Sequence, residues 1–281
     1  MIKKISITTP CLFLSEGTLR TAKSICHQDA VINKKISLDY KIYTTENYPD
    51  KSIENQLQEL GALVIKEPDA GLYDAISKGL KDTKADIYGY LNSGDQYFST
   101  AFDVLVEAFS IPNVKWVTGY SALCNTLGQI TAVWKPTRFE RKLFQCGAYC
   151  AAAYPGRPCV QQESTFWSHE LNSKIDFDKL KLFKVAGDYF LWISFSRYAD
   201  LYSLHSLLGA FEVREGQLSE NKANYANEIR PFFVRPSIYE KILFILDFKV
   251  PYKIKFKIER LIGRKAIPSI IFSNNKWKLQ F

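Results

Sequence analysis

Apolar positions along the first ~120 residues switch repeatedly between a period of two and a period of 3.6. Short runs rich in β-branched and aromatic residues predict strands over Lys4–Thr9 (KISITT), Asp39–Thr44 (DYKIYT), Ala62–Lys66 (ALVIK), Ile87–Leu91 (IYGYL) and Val114–Tyr120. Helical spacing lies between them. Ser15–Gln28 places Leu19, Ala22, Ile25 and Cys26 on one face, with Ser15 suited to the N-cap. Ile53–Leu60 ends at Gly61, Leu72–Leu80 carries Leu72, Ala75, Ile76, Gly79 and Leu80 on one side, and a further helix spans about Thr100–Phe109. This alternation predicts βαβ units and a mostly parallel sheet flanked by helices, an α/β fold. Ligands of such sheets gather past the carboxyl ends of the strands. Pro10, Thr45, Glu67 and Asn92–Asp95 sit just past predicted strand ends, so they are expected to converge on one cleft.

Beyond residue 120 the pattern loosens. Lys135–Tyr149 reads as partly helical, Tyr154–Pro158 as a loop, Leu191–Arg197 as the start of a helix after Gly187-Asp188, and Gly209–Glu220 as a strand and turn. From Pro231 onward the chain is basic and aromatic. Ile238–Phe248 is apolar with scattered charges, and Val250–Arg264 alternates Lys with Ile, Phe and Tyr. The division expected is one domain over 1–225 and a basic amphipathic extension over 226–281.

Charge sharpens that division. The 281 residues carry a net charge of +8, yet Arg230–Phe281 holds 12 Lys/Arg against 3 Asp/Glu, leaving 25 basic against 26 acidic residues before it. A near-neutral domain with a cationic tail suits attraction to an anionic membrane surface, with rings and aliphatics at the headgroup boundary. A peripheral helix with a solvated basic face would have the same pattern. A tail of this charge also attracts nucleic-acid phosphates, but no nucleic-acid motif accompanies it, and none is expected as partner. Hydrophobic residues make up 47% and charged residues 23%, which permits a sizeable core and argues against disorder. The six cysteines form no CxxC pair, so reduced, mostly buried thiols are expected. Pro10 interrupts the first apolar run before a signal-peptide core can form, and no stretch approaches ~20 apolar residues. A cytoplasmic protein is expected, at most lying on the inner face of the cell membrane.

The candidate chemistry lies in two blocks. Glu67-Pro68-Asp69-Ala70-Gly71-Leu72-Tyr73-Asp74-Ala75-Ile76-Ser77-Lys78-Gly79 is an acidic loop turning into a helix, and Tyr90-Leu91-Asn92-Ser93-Gly94-Asp95 puts a carboxylate in a tight turn past a strand. A carboxylate there suits a hard divalent cation, Mg²⁺ or Mn²⁺, shared with a substrate diphosphate; such turns are also common plain connectors. The histidines His27, His169 and His205 show no metal-ligand spacing, and neither a G-x-S-x-G elbow nor a Walker loop is present.

Together the two blocks resemble the family 2 glycosyltransferases of the GT-A fold, in which an E-x-D-x-G-(I/L)-Y-D-A-x-N-K-G stretch precedes a strand ending in F-L-N-S-G-D or a D-x-D variant. Ser77 stands where that family usually has Asn. Thr9-Pro10, Ser24-Ile25 with Gln28, Gln162-Glu163-Ser164-Thr165-Phe166-Trp167, Gly187-Asp188-Tyr189-Phe190-Leu191-Trp192 and Gly216-Gln217-Leu218-Ser219 resemble further family stretches in the same order. The resemblance covers about residues 4 to 220. One departure is the stretch after the second strand, where the family's D-G-x-S-x-D is replaced by Thr45-Glu46-Asn47-Tyr48-Pro49-Asp50.

The resemblance implies an inverting transferase taking a sugar from a nucleotide-diphosphate donor to a lipid-linked or surface-glycan acceptor. It implies donor contacts from Thr9, Pro10, Asp69, Asn92 and Asp95; Thr45 falls nearest the lost base-binding Asp, and the adjacent Glu46 is the candidate base contact. It also implies metal coordination by Asp95 and a general base at Asp188. Gly-Asp before an apolar run is equally good helix-capping chemistry. Two rivals are a sugar nucleotidyltransferase, disfavoured because no Gly-rich basic loop follows the first strand, and a degenerate, membrane-bound binding protein, disfavoured because Asp95 and Asp188 are both present.

Overall fold

The computed structural model describes residues 2–45, 51–217, 220–248 and 267–280, together with residues 250, 254 and 258. The first half runs β1 (Lys4–Cys11), α1 (Glu16–Cys26), α2 (Asp29–Ile32), β2 (Ser37–Thr44), α3 (Lys51–Glu59), β3 (Leu63–Lys66), α4 (Leu72–Lys81) and β4 (Ile87–Tyr90). It continues through β5 (Gln96–Tyr97), α5 (Ala101–Phe109), β6 (Trp116–Cys124), β7 (Ile130–Trp134), α6 (Arg141–Gln145), β8 (Thr165–Ser168), α7 (His169–Asn172) and α8 (Phe177–Leu180). The last part comprises α9 (Gly187–Phe195), β9 (Tyr202–Leu207), β10 (Gly209–Glu212), α10 (Lys222–Ile229), α11 (Ile238–Phe248), β11 (Ser269–Ser273) and β12 (Lys276–Gln280).

The strands form one sheet in the order β12-β11-β9-β6-β8-β4-β1-β2-β3, with β5, β7 and β10 attached beside this path. It is mostly parallel, as the alternating pattern predicts. β8 is antiparallel to both β4 and β6. Strand β1 is buried along its middle and pairs in parallel with β2 on one side and β4 on the other. Chain order reverses there, which opens a crevice past the carboxyl ends of β1 and β4.

Each face of the sheet carries its own core. Ile5, Ile7, Ile87 and Leu91 pack with Leu19, Ala22 and Ile25 of α1, Leu57 of α3 and Phe102 and Leu105 of α5. On the opposite face Tyr88, Tyr90, Trp116 and Trp167 pack with α4, α6 and α9. The three tryptophans Trp116, Trp167 and Trp192 are fully buried, so much of the aromatic content is core. Helix α9 is apolar around nearly its whole circumference, as a helix covered on all sides must be. Close approach sets one residue choice. A side chain at Gly79 would place Cβ 2.3 Å from the Thr8 Oγ1, so α4 can lie on β1 only with glycine there.

The predicted elements recur with small shifts in their ends, and parts of the C-terminal segment pack into the fold. Ala226, Ile229 and Leu243, from α10 and α11, join the core of the α4 face. The β11–β12 hairpin extends the sheet itself, with Ile270 opposite Leu204 of β9 and fully buried in the other core. Pattern reading had seen no strands there, because Ser269–Gln280 is short and its partner β9 is remote in sequence. Most of the alternating Val250–Arg264 stretch lies outside the described residues. Among the described residues no helix is long and apolar enough to cross a membrane.

If the hairpin is integral, Ile270→Ala should lower unfolding free energy in urea by about 2–5 kcal/mol, the usual cost of emptying a buried Ile site. A change below about 0.5 kcal/mol would show that the hairpin is detachable.

Candidate active site

Helix α1 builds one wall of the crevice. Its N-terminus is closed by a reciprocal cap: the Thr18 amide donates to Ser15 Oγ at 3.3 Å and the Ser15 amide to Thr18 Oγ1 at 3.1 Å. The same face grips the Asn92–Asp95 turn. Thr18 Oγ1 lies 2.9 Å from Ser93 Oγ, Thr21 Oγ1 accepts from the Gly94 amide at 2.9 Å, and the Thr21 hydroxyl donates to the Asp95 carbonyl at 2.7 Å. At the far end Gln28, fully buried, donates to the carbonyls of Ser24 and Phe98 and accepts from the Phe102 amide. The Ser24–Gln28 motif therefore fixes α1 against the chain that follows the turn.

The acidic loop before α4 is shaped by its own charges. Lys78 pairs with Glu67 at 2.9 Å and Asp74 at 3.3 Å, and donates to the Pro68 carbonyl. Asp69 Oδ1 accepts from the Gly71 amide at 2.9 Å, and Asp74 Oδ2 from the Ala70 amide at 3.0 Å. Glu67, Asp69, Asp74 and Lys78 thus serve turn geometry, and Asp69 is absent from the residues lining the cleft.

The cleft has a volume of about 380 Å³ and is lined by Pro10–Phe13, Tyr73, Tyr90, Asn92, Ser93, Asp95, Gln162, Glu163, Asp188, Arg214, Gln217 and Tyr225, among others. Pro10, Asn92, Asp95 and Asp188, predicted from sequence, do meet there. Thr9 does not line it: the residue is buried, and its hydroxyl accepts from Tyr40 at 3.1 Å. Thr45 donates to the Leu12 carbonyl at 3.1 Å and so shapes the 10–13 segment. Glu46, and Leu218-Ser219 of the last motif, lie outside the described residues.

Asp95 points inward. Its Oδ1 accepts from the Glu212 amide at 2.8 Å, while Oδ2 is buried with no hydrogen-bond partner, as is Asn92 Oδ1. Burial foremost, and then the charge of Glu163, raise the Asp95 carboxyl well above its ordinary range. Glu163, also buried, is pushed up to about 7, mainly by burial. Burial thus disfavours the charged form of both carboxyls, and the nearby charge of Glu163 adds to that at Asp95. Glu212, beneath them, is paired with Arg20 and lies 3.6 Å from Arg214.

Two unpartnered oxygens in one turn fit a hard cation. Among the described residues no group of three or more His, Cys, Asp or Glu side chains is placed to hold a metal. A cation at Asp95 would therefore take most of its shell from ligand oxygens and water, as Mg²⁺ commonly does.

Asp188 sits across the cleft in the first turn of α9, which starts at Gly187 and not at Leu191. It is not the N-cap. That position falls to Ala186, which offers no side-chain bond. Oδ1 accepts from the Tyr189 amide at 2.7 Å and from the Tyr225 hydroxyl at 2.6 Å. Burial raises this carboxyl to about 6, with the Tyr225 bond opposing the rise. A side chain at Gly187 would bring Cβ within 2.4 Å of the Tyr73 ring. The two motif blocks, over 100 residues apart, thus meet through that contact. Sequence reading missed Glu163 as a partner of Asp95, and also Arg214 and Tyr225. Glu163 lay inside a quoted motif, but nothing local marks the other two.

No protein-family model matches the chain, and no curated protein matches it. Its fold does match solved structures of S. aureus TarS. One TarS structure aligns with TM-score 0.54 at 11% identity, over 93% of this chain and 43% of that one, so this chain spans less than half of its length. TarS 1-349 aligns with TM-score 0.53 at 10% identity, over 99% of this chain and 96% of that one. TarS 1-349 in complex with UDP-GlcNAc aligns with TM-score 0.52 at 11% identity, over 93% and 72% respectively. The shared architecture is of the GT-A type.

The carboxyl pair has a thermodynamic signature. Glu163 is raised from 4.5 to about 7, so the folded protein retains a proton that the unfolded chain has released, and stability falls as pH rises through that window. Glu163→Gln should flatten this fall by up to one proton, ~1.4 kcal/mol per pH unit. Urea unfolding at pH 5, 6 and 7 would test it; equal slopes for the two proteins would refute a proton retained at Glu163.

Proposed function

We propose that the chain is an inverting glycosyltransferase that moves a sugar from a nucleotide-diphosphate donor to a glycan or lipid-linked glycan acceptor. The observation that carries this reading is the convergence, in one cleft at the carboxyl ends of β1 and β4, of the oxygen-lined Asn92–Asp95 turn and the ionisable carboxyl of Asp188. TarS, of the same architecture, has been crystallised with UDP-GlcNAc and with UDP.

The chemistry follows from charge. Asp95, Glu163 and Asp188 line the cleft with Arg214 as the one cation among its described lining residues. A donor diphosphate entering such a site needs added positive charge. Mg²⁺ or Mn²⁺ held at Asp95, beside Asn92, would supply it, stabilise the departing diphosphate and displace the proton from the Asp95–Glu163 pair. Arg214, half exposed at the rim, faces the same charge. On this reading the Pro10–Phe13 rim would receive the nucleotide base, with Glu46 as a further contact.

Asp188 takes the proton of the acceptor hydroxyl as its oxygen bonds to the anomeric carbon. The bond from that carbon to the diphosphate breaks, and the nucleoside diphosphate leaves with the electron pair. A single displacement of this kind inverts the anomeric centre. The acceptor would lie at the cytoplasmic face of a membrane, which the basic 226–281 segment would meet. Ile238, Ile242 and Ile245 form an exposed stripe along α11 that suits the headgroup boundary.

A panel of sugar nucleotides, with and without Mg²⁺ or Mn²⁺, should reveal the donor as a cation-dependent rise in thermal stability, roughly 2.7 kcal/mol at a hundredfold excess over Kd. Asp95→Asn should lose the cation-dependent part of that rise. If no sugar nucleotide stabilises the protein, the transferase reading is wrong. Asp188→Asn should keep donor binding and cut turnover by ~10²–10⁴-fold. Because the base must be ionised, wild-type turnover should be lost as pH falls through about 6; turnover flat from pH 5 to 8 would exclude Asp188 as the base. In pelleting assays, anionic vesicles should retain the full chain at low salt. Reversing Lys253, Lys255 and Lys257 to Glu should weaken retention, each charge contributing ~1 kcal/mol. Full-length protein that stays in the supernatant at low salt would end the membrane proposal.

A further inference from the structure

One short helix holds Asp188 in two ways. Tyr225 of α10 donates its hydroxyl to Asp188 Oδ1 at 2.6 Å. One turn further along the same helix, the Glu228 carboxylate accepts from three successive amides: Lys184 at 2.6 Å, Val185 at 2.9 Å and Ala186 at 2.8 Å. Those amides lie immediately before α9, where no side chain of the helix's own N-cap closes the turn. Glu228 therefore pins the turn that leads into α9, and Tyr225 orients the carboxyl that this turn presents.

The two contacts are spaced i, i+3, so a single helical face delivers both. Helix α10 is itself anchored, since Ala226 and Ile229 are buried in the core beside α9. Asp188 Oδ1 already accepts two hydrogen bonds, from the Tyr189 amide and from Tyr225. An oxygen with two donors has little further acceptor capacity, which leaves Oδ2 to receive a substrate proton.

We propose that α10 is a positioning clamp for the general base, with Tyr225 as the positioning residue that fixes the Asp188 carboxylate so that Oδ2 faces the acceptor hydroxyl. The clamp rests on the reading of Asp188 as base. Tyr225 lines the cleft, yet it acts through Asp188 and exchanges no proton with the sugar. The other ionisable groups around Asp188 are Tyr73 on α4, Tyr90 on β4, Glu163 before β8, Glu228 on α10, and Cys150 and Cys159 in the 146–160 segment. Of these, Tyr73 also stabilises the charged carboxylate. Removing Tyr225 leaves the Tyr189 amide bond in place, so the carboxyl stays ionisable but loses its fixed orientation.

The test is Tyr225→Phe, which keeps the ring and removes the donor. Turnover should fall roughly 10- to 100-fold, the range for a lost hydrogen bond to a charged group. The KM for the donor should stay within about twofold, since Tyr225 holds the base and not the nucleotide. With the bond to the charged form gone, the acid limb of the pH profile should move upward, by about one pH unit. Carbon NMR of the Asp188 carboxyl, followed against pH in both proteins, reads the same displacement without relying on activity. Donor-induced thermal stabilisation reports whether the variant is folded. If Asp188→Asn turns over like wild type, the base reading itself fails. If Asp188→Asn is inactive while folded Tyr225→Phe keeps wild-type turnover and an unmoved carboxyl titration, the clamp is wrong and the base reading stands.

Discussion

Negative charge confined at the end of a buried sheet is the constraint on which this site depends. Asp95 and Glu163 are almost wholly enclosed, and each lacks the water that would hold its charge. The fold meets that cost in three ways. Asp95 takes a backbone amide from Glu212, burial keeps both carboxyls toward their protonated forms, and Glu212 beneath is neutralised by Arg20. What remains is a cleft prepared for positive charge, with Asp95 Oδ2 and Asn92 Oδ1 still without donors. Apolar packing explains the shape of the site, and this unfilled polar capacity gives it its chemistry.

Asp188 is treated differently. Its carboxyl has a tyrosine donor and a local amide, so it is raised only to about 6 and is ionised at neutral pH. Two carboxyl environments on opposite walls thus differ, one held toward its protonated form and the other charged; in the proposed function they serve the cation and the acceptor proton respectively. The sheet's reversal at β1 and β4 sets the two walls facing each other.

Much of this was legible in the chain. The switch between strand and helix periods located the first-half elements to within a few residues, because burial of one strand or helix face leaves its period in the sequence. Several motif residues owe their identity to local needs that sequence also carries: Lys78 and Asp74 shape their own loop, and Gly79 must admit Thr8. Asn92, Asp95 and Asp188 were legible because each lies beside a turn or a helix start whose local pattern is distinctive.

The rest depends on contacts across large separations. Glu212 reaches Asp95 over 117 residues, Tyr225 reaches Asp188 over 37, and the hairpin that seats Ile270 beside Leu204 has no local pattern to announce it. The Thr9 hydroxyl meets Tyr40 and an Asp69 oxygen meets the Gly71 amide, partners that their motif positions do not announce, since a motif position does not say which way a side chain faces. By itself the sequence determined the periodic elements, the order of the motif blocks and the cationic surplus of the C-terminal segment, all properties of neighbours along the chain. Tertiary structure alone decided which carboxyls are buried near one another and which donors reach Asp188, because burial and charge coupling depend on distance in space and not along the chain.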